Sequence, residues 1–405
     1  MFDSLYIGLS GLSTFSKGLN NISNNVANLN TVGYKGKQLL FKDLYNSNQE
    51  TADGQSDAHI SYGGGVEVGN SFVLFNKQGD LKQSGNALDA SIEGDGFFIL
   101  RKDGKTYYTR DGQFEFDKDG FLISRATQAR VAVLGNNNAL SDLNITDKRI
   151  SAPQVTTAIK LTGDLSKVDT DGVVTLSDIP VFDSNGFNQK LKLVFTRKTN
   201  DVTSWDISVM DAMGNSITTG ILKFQGDGSP QTGYENFVIN YTPLGAKAQT
   251  LTINFGTPGQ INGGVTNFSS TTTATLTITK SDGYAVGAIT SINYDTDGMV
   301  GISYSNGQKL KLDKLALGWF YNLQALEQEG SNLYINNSDE PPIIGTAQSS
   351  LFGKITGGSI EASNVDLTQQ FSELIVTQRG YQASSQVVTA TNEMIQQLLD
   401  LRGRK

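Results

Sequence analysis

The strongest constraint on this chain is a heptad repeat at its start that has a counterpart at its end, with nothing comparable between. Between residues 5 and 32, Leu5, Leu12, Leu19 and Val26 recur every seven residues, and Phe15, Ile22 and Leu29 form a second series. Such a seam marks a helix that packs along another helix. The segment is a poor helix by itself. Gly8, Gly11 and Gly18 lie inside it, each costing about 0.8–1 kcal/mol relative to Ala. Six of the eleven residues from 20 to 30 are Asn, which favours caps and turns. Burying the seam falls short of the entropy lost on ordering the backbone. The segment is therefore expected to be disordered alone and to fold when partners cover its seam.

The counterpart runs from residue 367 to 402, without Pro and with a single Gly, Gly380. Leu367, Leu374, Tyr381, Val388 and Ile395 repeat every seven residues, with Phe371 and Leu398 on neighbouring rows. Asp366 with Gln369 reads as a capping-box start, and Arg402, Arg404 and Lys405 suit the negative end of a helix dipole. Both ends thus present helices that need helical partners, and heptads alone do not say which.

Between them the chain reads as β. Gly is abundant (44 residues), Pro scarce (7) and charged residues only 18 % of the total, a profile of turn-rich folded domains rather than disorder. Residues 34–70 are polar and dotted with glycine, and read as an extended, irregular linker. From residue 71 short strands follow at 72–75, 87–94, 97–100, 106–110, 113–116 and 121–124. The pairs Asp103–Gly104, Asp111–Gly112 and Asp119–Gly120 between them are hairpin signals. Strands at 190–197, 204–211, 235–241, 249–255 and 273–280 form a separate sandwich or barrel, the last of them rich in Thr with one solvated face. After residue 288 the first style of strand resumes. The expected organisation is a helical core from 1–33 with 364–405, the linker 34–70, a split β domain from 71–147 with 288–363, and an inserted β domain at 148–287. The fold class is mainly β, two antiparallel β domains with a heptad helix at each end.

Several chemistries are excluded. Without Cys there is no disulfide, thiolate metal site or Cys nucleophile. A net charge of −8 argues against nucleic acid and anionic membrane surfaces. No apolar run is long enough to span a membrane. The start has no basic region ahead of a long apolar stretch, so a cleaved secretory signal is not expected. The single His, His59, sits in a polar stretch and reads as a surface residue. No nucleophile elbow or phosphate loop occurs, and Gly63, Gly64 and Gly65 read as a flexible linker. Two acidic runs, Glu115–Asp117–Asp119–Gly120 and Asn293–Asp295–Asp297–Gly298, imitate the start of a calcium loop. Their twelfth positions are Ala126 and Tyr304, so both are read as turns. No cofactor and no catalytic or metal site is expected.

The termini carry a specific resemblance. Asn24-Asn25-Val26-Ala27-Asn28, followed by Asn30-Thr31-Val32-Gly33-Tyr34-Lys35, resembles the N-terminal signature of the flagellar axial family of rod, hook and hook-associated subunits. Asn364-Val365-Asp366-Leu367, followed by Gln378-Arg379-Gly380-Tyr381-Gln382-Ala383-Ser384, resembles the matching C-terminal signature. A block at 94–123 is similar to one shared by rod and hook members. Stretches at 179–197, 282–308 and 316–337 favour the hook branch over the shorter distal rod branch, and the insert's loops are least covered.

This resemblance implies a non-enzymatic subunit that polymerises into a tube outside the cell. The terminal helices would pair as a coiled coil around a central export channel, with the β domains in outer shells. The tube would pass motor torque from rod to filament as a universal joint. The implied partners are further copies of the chain, the distal rod protein, the hook cap scaffold, the hook–filament junction protein and the flagellar export apparatus. Assembly would rest on Leu5, Leu12, Phe15, Leu19, Ile22, Val26, Leu29, Leu367, Phe371, Leu374, Tyr381, Val388, Ile395 and Leu398. The rival from another class, a β-rich surface adhesin or carbohydrate-binding protein, suits the Thr-rich strands but leaves the twin heptad ends unexplained.

Overall fold

A computed structural model describes residues 2–44, 47–49, 60–62, 64–135, 137–166, 172–268 and 273–402. His59 and Gly63 lie outside the described residues. Two helices, α1 (Phe2–Ala27) and α2 (Leu367–Arg402), bracket a chain that is otherwise strand and turn. The chain divides into two compact units. One comprises residues 1–146, 291–302 and 310–405, the other residues 147–290 and 303–309. No helix among the described residues is long and apolar enough to cross a membrane.

In the first unit, strands from the two distant parts of the chain pair with each other. Phe98 lies opposite Leu317, Tyr108 opposite Tyr334 and Val133 opposite Leu315. Ile355 faces Ile92, and Ile360 faces Lys82. The buried cluster includes Ile92, Phe98, Leu100, Phe114, Val131, Leu315 and Ile355. Asp103 and Gly104 both take positive φ, 51° and 75°, as a tight two-residue hairpin turn requires. Asp111 and Gly112 do not make the expected hairpin. Gly112 instead lies against the Ala90 backbone, where a Cβ would come within 1.7 Å of the Ala90 carbonyl oxygen. Its glycine serves close approach rather than a turn. The two acidic runs are turns. Asp117 accepts the Phe121 N–H at 2.7 Å, and Asp297 pairs with Lys314 at 2.9 Å.

The described residues of the 34–70 stretch depart from the irregular linker expected there. β1 (Lys37–Asp43) and β2 (Val66–Val73) pair antiparallel with a register irregularity between Leu39 and Phe41. That irregularity breaks the period-two pattern by which a strand is recognised. Gly65 (φ +101°) is likewise no free linker, since a Cβ there would sit 2.4 Å from Ser10 Oγ of α1.

The second unit is a sandwich. Val173–Phe182, Asn188–Lys198, Asp201–Met210 and Ser216–Lys223 form an antiparallel sheet in sequence order. The opposing sheet is mixed: Ala158–Asp164 runs parallel to Gln249–Asn254 and antiparallel to Thr277–Ser281. Leu193, Phe195, Trp205 and Val209 from one sheet share a core with Leu161, Leu251 and Ile253 from the other. The Thr-rich strand begins at Thr277, later than residue 273. Ahead of it Thr275 bonds to Asp164 at the end of the partner strand, its N–H donating at 2.9 Å, but its hydroxyl instead of its carbonyl accepts the return bond at 3.0 Å.

Candidate assembly site

α1 and α2 pack along each other in opposite directions. Gly11 lies beside Ser384, Gly18 beside Thr377, and Asn25 bonds to Gln370. Each step of seven up α1 is thus a step of seven down α2, which makes the pair antiparallel. The glycines that weaken α1 as a lone helix are its contact surface. A Cβ on Gly8 would lie 2.8 Å from Val388 Cγ2, and one on Gly11 2.7 Å from Ser384 Oγ. The relation is reciprocal at Gly380, where a Cβ would lie 2.5 Å from the Phe15 ring. Phe15 therefore fits over the one glycine of α2, and its other flank meets Phe41 of β1 edge-to-face at 5.9 Å. Small residues let the backbones approach closely, and the aromatic ring in a glycine slot fixes the axial position.

The hairpin β1–β2 covers a second face of α1. Thr14 Oγ1 donates to the Val66 carbonyl at 3.2 Å, and Asn21 Nδ2 to the Lys37 carbonyl at 2.8 Å. Asn25 is the densest node. Its Nδ2 donates to the Lys37 carbonyl and to Gln370 Oε1, and its Oδ1 accepts the Lys37 N–H and the Tyr34 hydroxyl. The side chain is buried with all its bonding capacity used. α1 ends at Ala27, before Leu29, because Asn28 turns its amide back onto the Asn24 carbonyl at 2.9 Å. At the other helix, Asp366 Oδ1 accepts the N–H groups of Thr368 and Gln369, and Gln369 turns to Glu373 instead of closing a capping box.

Below the helices lies a buried polar joint. Glu361 binds Lys35 Nζ at 2.7 Å and Arg110 at 3.3 Å, and all three are almost fully buried. Glu361 also accepts the Gly79 N–H. Lys35 and Asn364 both donate to the Lys77 carbonyl, and Asn364 accepts the Gly36 N–H. Gly33, at φ +68°, presses on the backbone of Arg110 and Asp111, where no Cβ fits. The joint fastens the stretch after α1 and the stretch before α2 to the same β body. Burial lowers the proton affinity of Lys35, with Glu361 opposing that shift, and Arg110 shifts in the same direction for the same reason.

These elements coincide with three sequence families. The model of the flagella basal body rod protein matches residues 5–35. That of the flagellar hook protein FlgE/F/G D1 domain matches residues 91–176, and that of the flagellar basal body rod FlgEFG protein C-terminal matches residues 356–401. The flagellar hook protein FlgE of Treponema pallidum (strain Nichols) is 28 % identical over 99 % of this chain and 100 % of its own length. That of Salmonella typhimurium (strain LT2) is 28 % identical over 97 % and 98 %. Three stretches of the chain match models of the flagellar rod and hook proteins, and almost its whole length is similar to flagellar hook proteins. Its relatives of matching length are hook proteins, and it is a structural subunit, not an enzyme. The crystal structure of Helicobacter pylori flagellar hook protein FlgE2 covers 69 % of this chain and all of its own, with a TM-score of 0.51 at 13 % identity, a likeness of fold.

Within this family architecture the expected assembly residues separate. Ile22 is buried, and Leu5, Leu12, Phe15, Leu19, Val26 and Leu29 are half-buried. On α2, Leu374, Val388 and Ile395 are half-buried, whereas Leu367, Phe371, Tyr381 and Leu398 are exposed. The most buried row of α2 is a different heptad, Gln370, Thr377, Ser384 and Thr391, three residues on from the apolar one. An apolarity scan passes over it. Its signal is four polar or small residues seven apart, matched by Gly11, Gly18 and Asn25. The joint of Lys35, Arg110 and Glu361 was not anticipated either, since its members are far apart in sequence.

Proposed function

We propose that this chain is the repeating subunit of the flagellar hook tube, with its helix pairs lining a central export channel. The tube bends as a universal joint while carrying torque from rod to filament. One observation carries this reading. The helix pair satisfies its own narrow seam yet leaves a broad apolar surface uncovered, with Phe371 50 % exposed, Val376 70 % and Tyr6 73 %. Exposure on that scale suits helices that pack against further copies. The residues proposed for assembly are those of the two heptad series, from Leu5 to Leu29 and from Leu367 to Leu398. The proposed domain bounds are 1–33 with 364–405 for the helical core, 71–147 with 288–363 for the split β domain and 148–287 for the insert. The partners proposed are the distal rod protein below, the hook cap during growth and the hook–filament junction protein above. The chain would reach the outside of the cell through the flagellar export apparatus.

The test is substitution within the seam. Val388 lies against Gly8, so Val388→Asp places a charge in a dry contact, at a cost of several kcal/mol. Leu19→Asp does the same on α1. Each variant is expected to keep the near-ultraviolet dichroism of the β body and to form no tubes by electron microscopy. Normal tubes from both variants would overturn the assignment.

A further inference from the structure

The helix pair is unequal in length, and nearer its other end it carries an open groove. Gly8 sits beside Val388, so in antiparallel register Phe2, the first residue of α1, is level with residue 394. Residues 395–402 of α2 therefore run on about 12 Å past the start of α1. This overhang and its last paired turn carry one apolar stripe, with Met394 46 % exposed, Leu398 49 % and Leu399 63 %. Nearer the other end of the pair, α1, β1 and α2 enclose an open groove of about 400 Å³. Ile22, Leu39, Phe41 and Val376 supply its apolar walls, and Glu373 is the only ionisable lining residue among the described residues. Glu373 accepts bonds from the amides of Gln369 and Gln370 and has no cationic partner among the described residues. The overhang ends at Arg402 and is continued in sequence by Gly403, Arg404 and Lys405.

We propose that in the polymer the overhanging end of α2 from one copy seats in this groove of a second copy, apolar stripe inward and basic end toward Glu373. This rests on the reading of the chain as a self-polymerising subunit, and names two of the surfaces that meet. The occupant is a second copy for two reasons. An α2 end cannot reach a groove that lies several turns back along its own helix. A contact between two different surfaces of one chain can also repeat without closing, as an open tube requires. The match of an acidic groove with a basic helix end gives the contact its direction.

The chain has no cysteine, so paired cysteines report this contact without background. Val376→Cys combined with Leu398→Cys, polymerised and then oxidised, is expected to give a ladder of covalent multimers on a non-reducing gel. Each single variant is expected to give none beyond dimer. Normal tubes of the double variant without a ladder would overturn the contact and leave the assembly reading intact. A charge exchange covers the case in which the cysteines disturb assembly. Glu373→Lys is expected to raise the critical concentration for tube formation at least tenfold, and adding Arg402→Glu to restore it at least threefold. Absence of that rescue would overturn the contact. Failure of the unaltered chain to form tubes would remove the assembly reading and the contact together.

Discussion

Asn25 Nδ2 donates to Gln370 Oε1 at 2.9 Å, joining two residues 345 positions apart at the point where the two helices meet the β body. The bond belongs to a buried network, because Asn25 also holds both backbone groups of Lys37 and the Tyr34 hydroxyl. Buried polar contacts of this kind fix the register of packed helices, since a slip leaves every partner unpaired. Asn25→Ala removes the shared partner of four groups, while Gln370→Ala removes the bond from Asn25 and a longer one, 3.4 Å, to the partly exposed Glu373. Each buried group left unsatisfied costs about 1–3 kcal/mol. Asn25→Ala is therefore expected to destabilise the chain by about 3 kcal/mol or more, and Gln370→Ala by about half that. Urea unfolding of the two variants side by side checks the ratio.

Gly380 and Gly18 test whether the helix glycines are defects or contacts. Ala raises helix propensity by about 1 kcal/mol at either site. At Gly380 the new methyl meets three atoms of the Phe15 ring at 2.5–2.9 Å, and that ring is braced by Phe41. Overpacking of this kind costs about 1–3 kcal/mol, and here the helix pair must part to relieve it. At Gly18 the nearest atom is Thr377 Cγ2 at 3.2 Å, which a small adjustment accommodates. Gly380→Ala is expected to lower the protection of α1 amides from hydrogen exchange, and Gly18→Ala to leave it within twofold. Equal protection in both variants would show that Phe15 does not depend on the slot.

That contrast also shows what the residue pattern conveys and what it withholds. Both helices are legible because long seven-residue periods survive any context, and the hairpins at Asp103–Gly104 and Asp119–Gly120 because their turns need positive φ. The helix seam is misread by apolarity alone. Gly8 and Gly11 count against a lone helix and in favour of a paired one, and which applies depends on Val388 and Ser384, far away in sequence. β1 is missed because the run Leu39, Leu40, Phe41 straddles a register irregularity and shows no alternation. Glu361 is an ordinary acidic residue until folding brings Lys35 and Arg110 to it.

The Glu361 joint holds two cations with one carboxylate, so its members are not equivalent. Glu361→Gln strands Lys35 and Arg110, both almost fully buried, and breaking a buried pair from that side costs about 3–5 kcal/mol. Lys35→Met leaves Glu361 bound to Arg110 and to the Gly79 N–H. Burial already disfavours the charged form of Lys35, so its loss is milder, about 1–3 kcal/mol. The expected order of urea midpoints is unaltered chain, then Lys35→Met, then Glu361→Gln. The double variant is expected to be no worse than Glu361→Gln alone, because it removes one of the two stranded charges. A Lys35→Met variant less stable than Glu361→Gln would show that the lysine, not the carboxylate, organises the joint.

Asp111, beside that joint, gives the chain a pH dependence of predictable sign. Burial lifts its carboxyl from the ordinary 3.8 to about 6, against the opposing effect of the Gln113 N–H that donates to it at 3.0 Å. A folded-state pKa above the unfolded one means that the folded chain binds the proton more tightly. This group's contribution is then most favourable below about pH 4, declines as pH rises from about 4 to about 6, and stays flat above that range. A shift of about two units corresponds to about 3 kcal/mol lost across the window. Asp111→Asn keeps the acceptor for Gln113 and cannot ionise. It is expected to match the unaltered chain near pH 4 and to exceed its stability by up to about 3 kcal/mol at pH 7. Stability curves by urea titration at pH 4, 5, 6 and 7 measure the difference. Parallel curves for the two proteins would mean that Asp111 titrates in the folded chain as it does in water.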